Sequence, residues 1–205
     1  ASTLLHLGPG LANGLANLHN AKKANSGIVN IVGEHALDHI TLNAPLTSDI
    51  EGIASPVSHW VKTSKSSKDI SKDGAEAIKQ ANVKPGQIAT LILPGDTAWN
   101  EGSKIESIDL NLKSNNVSSK LIDDAILELQ DAKNPLILVG GEALEENNLI
   151  KLAKVADKVG CPIKTDWFNA RLDKGAGRIN SVRIPYVVDK AVEVLKDFDT
   201  IIIIG

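Results

Sequence analysis

The order of elements across residues 4–35 leaves this chain few folds to adopt. Leu4-Leu5-His6-Leu7 is an apolar run of strand length, and Gly8-Pro9-Gly10 reads as a turn. Ala12 to Asn25 is helical in pattern, and Gly27-Ile28-Val29-Asn30-Ile31-Val32-Gly33-Glu34-His35 is a second apolar run. A helix that links two apolar strands is the crossover of a parallel sheet. Strands that are apolar throughout, with no alternation, need helices on both faces. Such a unit gathers backbone N–H groups and a helix N-terminus at the carboxyl edge of the sheet, where cofactors bind.

The same alternation continues along the chain. Ser2 to Leu7 is expected as a strand, Leu11 to Asn25 as a helix with Leu11, Leu15 and Leu18 on one face, and Ile28 to Val32 as a buried strand. A loop with a short helix near Ser48 to Ile53 leads to a strand at Val57 to Thr63. An amphipathic helix at Ser67 to Ala81 precedes the buried strand Ile88 to Leu93, which Pro94-Gly95-Asp96 stops. Hydrophobic periodicity is lost over residues 97–117. The α/β pattern then resumes with a helix at Lys120 to Ala132, capped by Ser118 or Ser119, and a strand at Pro135 to Val139. A helix at Leu149 to Val159, a short strand at Pro162 to Thr165, a helix at Tyr186 to Lys196 and a strand at Thr200 to Ile204 complete the set. The expected fold class is α/β, as two partial parallel-sheet domains at 1–100 and 118–205 joined by a linker at 101–117. A chain that starts and stops in strands and has no methionine reads as an excised fragment.

Composition narrows the function. The net charge of −3 and the lack of a basic block argue against a nucleic-acid surface. No apolar run is long enough to span a membrane and no leader pattern opens the chain, so the expected compartment is the cytoplasm. Cys161 is the only cysteine, which leaves no disulfide framework, and its apolar surroundings suit a buried, inert thiol.

Two chemistries compete for the glycine turn. Gly8, Gly10 and Gly14 with Glu34 twenty residues later mimic a dinucleotide fingerprint, in which the acid meets a ribose hydroxyl. Against it, Pro9 removes an N–H from the loop that would cradle a pyrophosphate, and glycines also serve simply to turn a strand into a helix.

The residues themselves point to a family. Gly8-Pro9-Gly10-Leu11-Ala12-Asn13 resembles the Gly-Pro-Gly-x-x-Asn segment of thiamine-diphosphate-dependent enzymes. Pro85-Gly86-Gln87-Ile88-Ala89-Thr90-Leu91-Ile92-Leu93-Pro94-Gly95-Asp96 resembles the close of their pyrimidine-binding domain, and Asn134-Pro135-Leu136-Ile137-Leu138-Val139-Gly140-Gly141 the opening of their central, Rossmann-like domain. The order and spacing match over essentially the whole chain, most nearly those of acetolactate synthase large subunits. The resemblance implies that 1–100 is the later part of the first domain and 118–205 the earlier part of the second. It implies thiamine diphosphate and Mg2+ as cofactors, FAD as an optional third, a small 2-oxo acid as substrate and a homodimer or tetramer. It also implies decarboxylation of pyruvate with transfer to a second 2-oxo acid, a step of branched-chain amino acid biosynthesis.

By the same resemblance Pro9 and Asn13 lie against the pyrimidine ring, with Gly8 and Gly10 shaping the turn. Glu34 stands where relatives carry Gln, so it can accept a hydrogen bond but not donate one when ionised. Gly140 and Gly141 fall near the FAD region, with Arg178 and Arg183 as further phosphate candidates. His6 and His35, and less so His39, sit where histidines can hold a substrate carboxylate or move protons. His59 and His19 read as structural. The catalytic glutamate of the family is expected upstream of Ala1, and Gly95-Asp96-Thr97 departs from the family's Gly-Asp-Gly metal motif. The chain by itself is therefore expected to be inactive. A 2-oxo acid decarboxylase, a non-catalytic α/β binding module and an NAD(P)-binding protein stand as alternatives.

Overall fold

The computed structural model describes residues 1–110 and 116–205. The chain divides into two compact units, Ala1–Ser114 and Asn115–Gly205. Each is an α/β unit around a four-stranded, fully parallel sheet.

In the first unit, β1 (Ser2–His6), α1 (Leu7–Lys23) and β2 (Ile28–Glu34) form the opening crossover. Two short helices follow, α2 (Leu37–Ile40) and α3 (Ile50–Ala54), and then β3 (Trp60–Thr63), α4 (Ile70–Ala81), β4 (Ile88–Pro94) and α5 (Asp96–Trp99). The strand order is β1-β2-β4-β3, so β4 is inserted between its neighbours and is buried along nearly all its length. Its two faces feed two cores. Ile88 and Ile92 pack with Val32 under Leu11 and Leu18 of α1 and Ile50 and Ala54 of α3. Ala89 and Leu91 point the other way, against Ala77 and Ala81 of α4. This two-sided burial is the reason the strand sequence carries no polar alternation.

The turn between β1 and α1 differs from the glycine turn expected of the sequence. Helix α1 begins at Leu7, so Gly8-Pro9-Gly10 forms its first turn. The chain reverses at Leu7 itself, which is buried and adopts a left-handed φ of 55°. Pro9 is comfortable there, because N–H groups of a first helical turn have no intrahelical acceptor. Gly8 is required by packing: a Cβ at this position would collide with the side chain of Ser48.

The second unit holds α6 (Ser119–Asp131), β5 (Pro135–Val139), α7 (Glu146–Val159), β6 (Ile163–Thr165), β7 (Val182–Arg183), α8 (Val188–Leu195) and β8 (Thr200–Ile204). The order is β7-β6-β5-β8. Ser118 caps α6, its hydroxyl accepting the Leu121 N–H at 3.3 Å. Gly160 closes α7 with φ 76°, a conformation that glycine adopts at low cost. The core joins Ile137, Val139 and Ile163 to Leu144, Leu149 and Ala156, with Cys161 buried beside them. Burial pushes the Cys161 thiol above its ordinary range, in keeping with an inert side chain. The two-residue strand β7 had no sequence signal. Residues 101–110 are exposed and lack regular structure. The rest of the expected linker includes 111–115, which lie outside the described residues.

Candidate functional site

The carboxyl edge of the first sheet is assembled by register. His6 of β1 pairs with Gly33 of β2, and Glu34 of β2 pairs with Pro94 of β4. The ends of three adjacent strands therefore bring together His6, the first turn of α1, Glu34 with His35, and Gly95 with Asp96. Pro9 lies in the first turn of α1, Asn13 one turn further along the same helix, and Glu34 closes β2.

Pro9 and Asn13 are both exposed. Being four residues apart on α1, they lie on one face, a turn apart. Asn13 sits in the second turn, so it is not a helix cap, and its amide makes no hydrogen bond among the described residues. Gly10 borders His6, whose Cβ lies 3.4 Å from where a Cβ on Gly10 would be. Gly8 is buried beneath Ser48 and presents no open surface on that side. His6 is exposed at the end of β1.

The segment after β2 is tied down by carboxylates. Glu34 Oε1 accepts the His35 N–H at 2.7 Å, and the Glu34 carbonyl accepts the Gly95 N–H at 3.1 Å. Asp96 Oδ2 accepts the Leu37 N–H at 2.6 Å, which fixes the start of α2. The imidazoles of His35 and His39 lie 4.9 Å apart between centroids at an interplanar angle of 53°. His35 Nε2 is shielded from solvent and lacks a hydrogen-bond partner. Sequence reasoning did not single out Asp96 as a site residue, although Pro94-Gly95-Asp96 marked the strand end. Nor did it place Ser48 over α1, a long-range contact with no local signal.

His59 is a structural group. Its backbone N–H donates to Ile88 O at 2.8 Å, and its Nδ1 accepts the Ile88 N–H at 3.0 Å. Burial, with Lys22 nearby, lowers its pKa from the ordinary 6.5.

In the second unit, Gly140 and Gly141 follow β5. Gly141 has φ 50°, and Gly140 has open space where a Cβ would sit, with Asn169 Oδ1 at 4.0 Å as the nearest atom. Arg178 is committed to Glu146 at 2.7 Å, and Arg183 lies over the Trp167 ring at 5.6 Å. A cavity of about 620 Å³ opens between 169–174 and 180–183, with Arg171, Lys174 and Arg183 in its wall. Arg171 is paired with Asp173 at 2.9 Å, and that hydrogen bond holds the Asp173 carboxyl below its ordinary range. Among the described residues no group of three or more His, Cys, Asp or Glu is placed to hold a metal ion, and no helix is long and apolar enough to cross a membrane.

No family model matches the chain. A Mycobacterium tuberculosis protein that carries the name of an acetolactate synthase large subunit, IlvX, is 34% identical over 206 residues, covering 100% of this chain and 39% of the relative. The acetolactate synthase large subunit of Buchnera aphidicola subsp. Acyrthosiphon pisum is 27% identical over 169 residues, covering 79% of this chain and 29% of the relative. The chain thus spans well under half the length of these curated relatives. Among solved structures, a Mycobacterium smegmatis protein that carries the name of a thiamin diphosphate-dependent enzyme superposes with a TM-score of 0.80 at 17% identity. A thiamine diphosphate-dependent 4-hydroxybenzoylformate decarboxylase from Rhodococcus jostii does so with 0.79 at 22%. Each superposition covers 100% of this chain and 40% of the other. At these identities the two structures establish the fold.

Proposed function

The chain belongs to the thiamine-diphosphate-dependent enzyme family, with acetolactate synthase large subunits among its relatives, and from this we propose that it supplies one side of a thiamine diphosphate site in an enzyme acting on 2-oxo acids. In this reading the first unit is the later part of the pyrimidine-binding domain and the second the earlier part of the central domain. The reaction is decarboxylation of pyruvate and transfer to a second 2-oxo acid, supported by the relative that is 34% identical along the whole chain.

The observation that carries the reading is the pair Pro9 and Asn13, exposed on successive turns of α1 at the edge where β1, β2 and β4 end. The two residues fit a pyrimidine ring. Proline offers a flat apolar surface, and the uncommitted Asn13 amide can both donate to and accept from the polar ring edge. When bound, thiamine diphosphate supplies the electron sink that decarboxylation of a 2-oxo acid needs. Pro9 and Asn13 would orient the ring, and Glu34, with one oxygen committed to the His35 N–H, would offer its remaining acceptor capacity. The diphosphate and Mg2+ would be held by residues outside this chain, and the cofactor would bridge two subunits of a homo-oligomer. In the second unit, the open space at Gly140 and the cations of the nearby cavity are compatible with FAD.

Asn13→Ala tests the reading. In a full-length protein carrying this segment it should weaken thiamine diphosphate binding by about 0.5–1.5 kcal/mol, or up to about tenfold, as read by calorimetry. Because Asn13 is exposed and unbonded, stability should stay within about 0.5 kcal/mol. An unchanged dissociation constant would remove Asn13 from the ring site.

A further inference from the structure

The cavity of the second unit carries charge of one sign. Its volume is about 620 Å³, and one wall is the 169–174 segment, the other the run 180–183 that ends in β7. Arg171, Lys174 and Arg183 line it, and none of the described residues in its wall is acidic, in a chain with a net charge of −3. Arg171 is matched by Asp173, which stands outside the lining. Lys174 and Arg183 have no carboxylate partner among the described residues, and they belong to opposite walls.

Arg183 is held in place without being neutralised. Its guanidinium lies 5.6 Å from the centre of the Trp167 ring, and Tyr186 meets that ring edge-on at 5.8 Å. Ser181, two residues before Arg183 and therefore on the same face of the extended run, also lines the cavity. It is fully buried, and its hydroxyl has no hydrogen-bond partner among the described residues. The hydroxyl of Thr165, the register partner of Arg183, is in the same condition. Buried hydroxyls are normally paired, so these two point to a polar atom from outside the chain. The wall can admit one. Gly175-Ala176-Gly177 joins the two walls with φ of 78°, 51° and 79°, and neither glycine has an atom within 4 Å of where a Cβ would sit. A turn so free of packing shifts on the nanosecond-to-microsecond scale of loops.

The charges define the ligand. Two uncommitted cations on opposite walls match two negative groups held apart, whereas a single phosphate needs cations that converge on one point. The planar fork of Arg183 suits a carboxylate, with the Ser181 hydroxyl as a further donor, and the Lys174 ammonium suits a second carboxylate. Ala170 and Leu172 offer apolar wall for a short carbon chain between them.

We propose that this cavity binds a short-chain aliphatic dicarboxylate, held by Arg183 and Ser181 at one end and by Lys174 at the other. The inference goes beyond the proposed function. It concerns the second unit alone and stands or falls independently of the thiamine diphosphate reading.

The test is a titration of the 205-residue chain with sodium glutarate, read by NMR at the indole N–H of Trp167. Trp60 and Trp99, both in the first unit, are internal references, and Trp167→Phe assigns the signal. The Trp167 signal should move and saturate at millimolar glutarate while the references stay still. Acetate at matched ionic strength should bind about tenfold more weakly, because it reaches one cation at a time. Lys174→Gln, a change at an exposed position, and Arg183→Gln should each weaken glutarate about tenfold. Ser181→Ala separates binding from folding. It removes an unpaired buried hydroxyl, so urea stability should hold or rise while glutarate affinity falls about fivefold. A Trp167 signal that stays still at tens of millimolar glutarate would overturn the proposal. So would an equal response to acetate, which means general ionic screening, or a preference for inorganic phosphate or FAD, which means a phosphate site. Unchanged affinity in both Lys174→Gln and Arg183→Gln would overturn it as well.

Discussion

Partial desolvation and a specific hydrogen bond make one histidine of this chain, exposed at the residue level, a pH-dependent strut. His59 Nδ1 accepts the Ile88 N–H, a role open only to the unprotonated nitrogen. Burial lowers its pKa first, and Lys22 second. The folded state thus binds the proton less readily than the unfolded state does. The contribution to stability is complete above the ordinary pKa of 6.5 and declines as pH falls below it through the folded value. The thermal midpoint should drop between about pH 7.5 and pH 5.5 in the native chain, with a smaller drop in His59→Asn. Identical pH dependence in both would show that His59 carries none of it. The sequence marked His59 as structural through its place in an alternating run, but its partner, Ile88, lies 29 residues away and had no local signature.

At the scale of elements, a line of polar side chains, half-buried at Thr3 and buried at Asn30, Thr90 and Ser58, crosses the first sheet. Thr3 Oγ1 donates to Asn30 Oδ1 at 2.7 Å, Asn30 Nδ2 donates to Thr90 Oγ1 at 3.0 Å, and Ser58 Oγ lies 2.6 Å from the same Thr90 oxygen. Thr3, Asn30 and Thr90 are register partners on β1, β2 and β4. A slip of one residue would send each to the opposite face and leave it unpaired in an apolar core. The line therefore discriminates between registers that apolar strands alone tolerate. Thr90→Val keeps the shape but strips the partner from Asn30 and Ser58, both buried. It should cost about 1–3 kcal/mol in urea unfolding with an unchanged slope. A loss below about 0.5 kcal/mol would mean that the line adds nothing. Asn30 and Thr90 are visible in the sequence as polar interruptions of apolar runs, but only the register shows that they meet.

For the whole molecule, the two units have separate sheets and separate cores. Limited trypsin digestion should cut first at Lys104, which is exposed and outside regular structure, or at Lys113, which lies outside the described residues. It should leave two resistant pieces. Early cutting at Lys79 or Lys133 with the connection intact would refute this division. The chain alone, supplied with pyruvate, thiamine diphosphate and Mg2+, should form no acetolactate. In the proposed reading it offers one face of the cofactor site. Turnover that survives purification would contradict this.

The α/β class, most of the strands and the identity of β4 as a buried strand follow from the sequence by itself, because periodicity and apolar content are local and additive along the chain. The Pro9–Asn13 spacing is equally local, since a helix places residues four apart on one face whatever surrounds it. The tertiary structure decided the rest. Leu7, and no glycine, makes the turn, because α1 must start immediately after β1 to bury Leu11 and Leu18 on the sheet. Gly8 is small because Ser48 crosses it, and Asp96 joins the edge because β4 is threaded beside β2. Those contacts bring together residues some forty to sixty positions apart, and their energies belong to the packed arrangement, which no window of sequence contains.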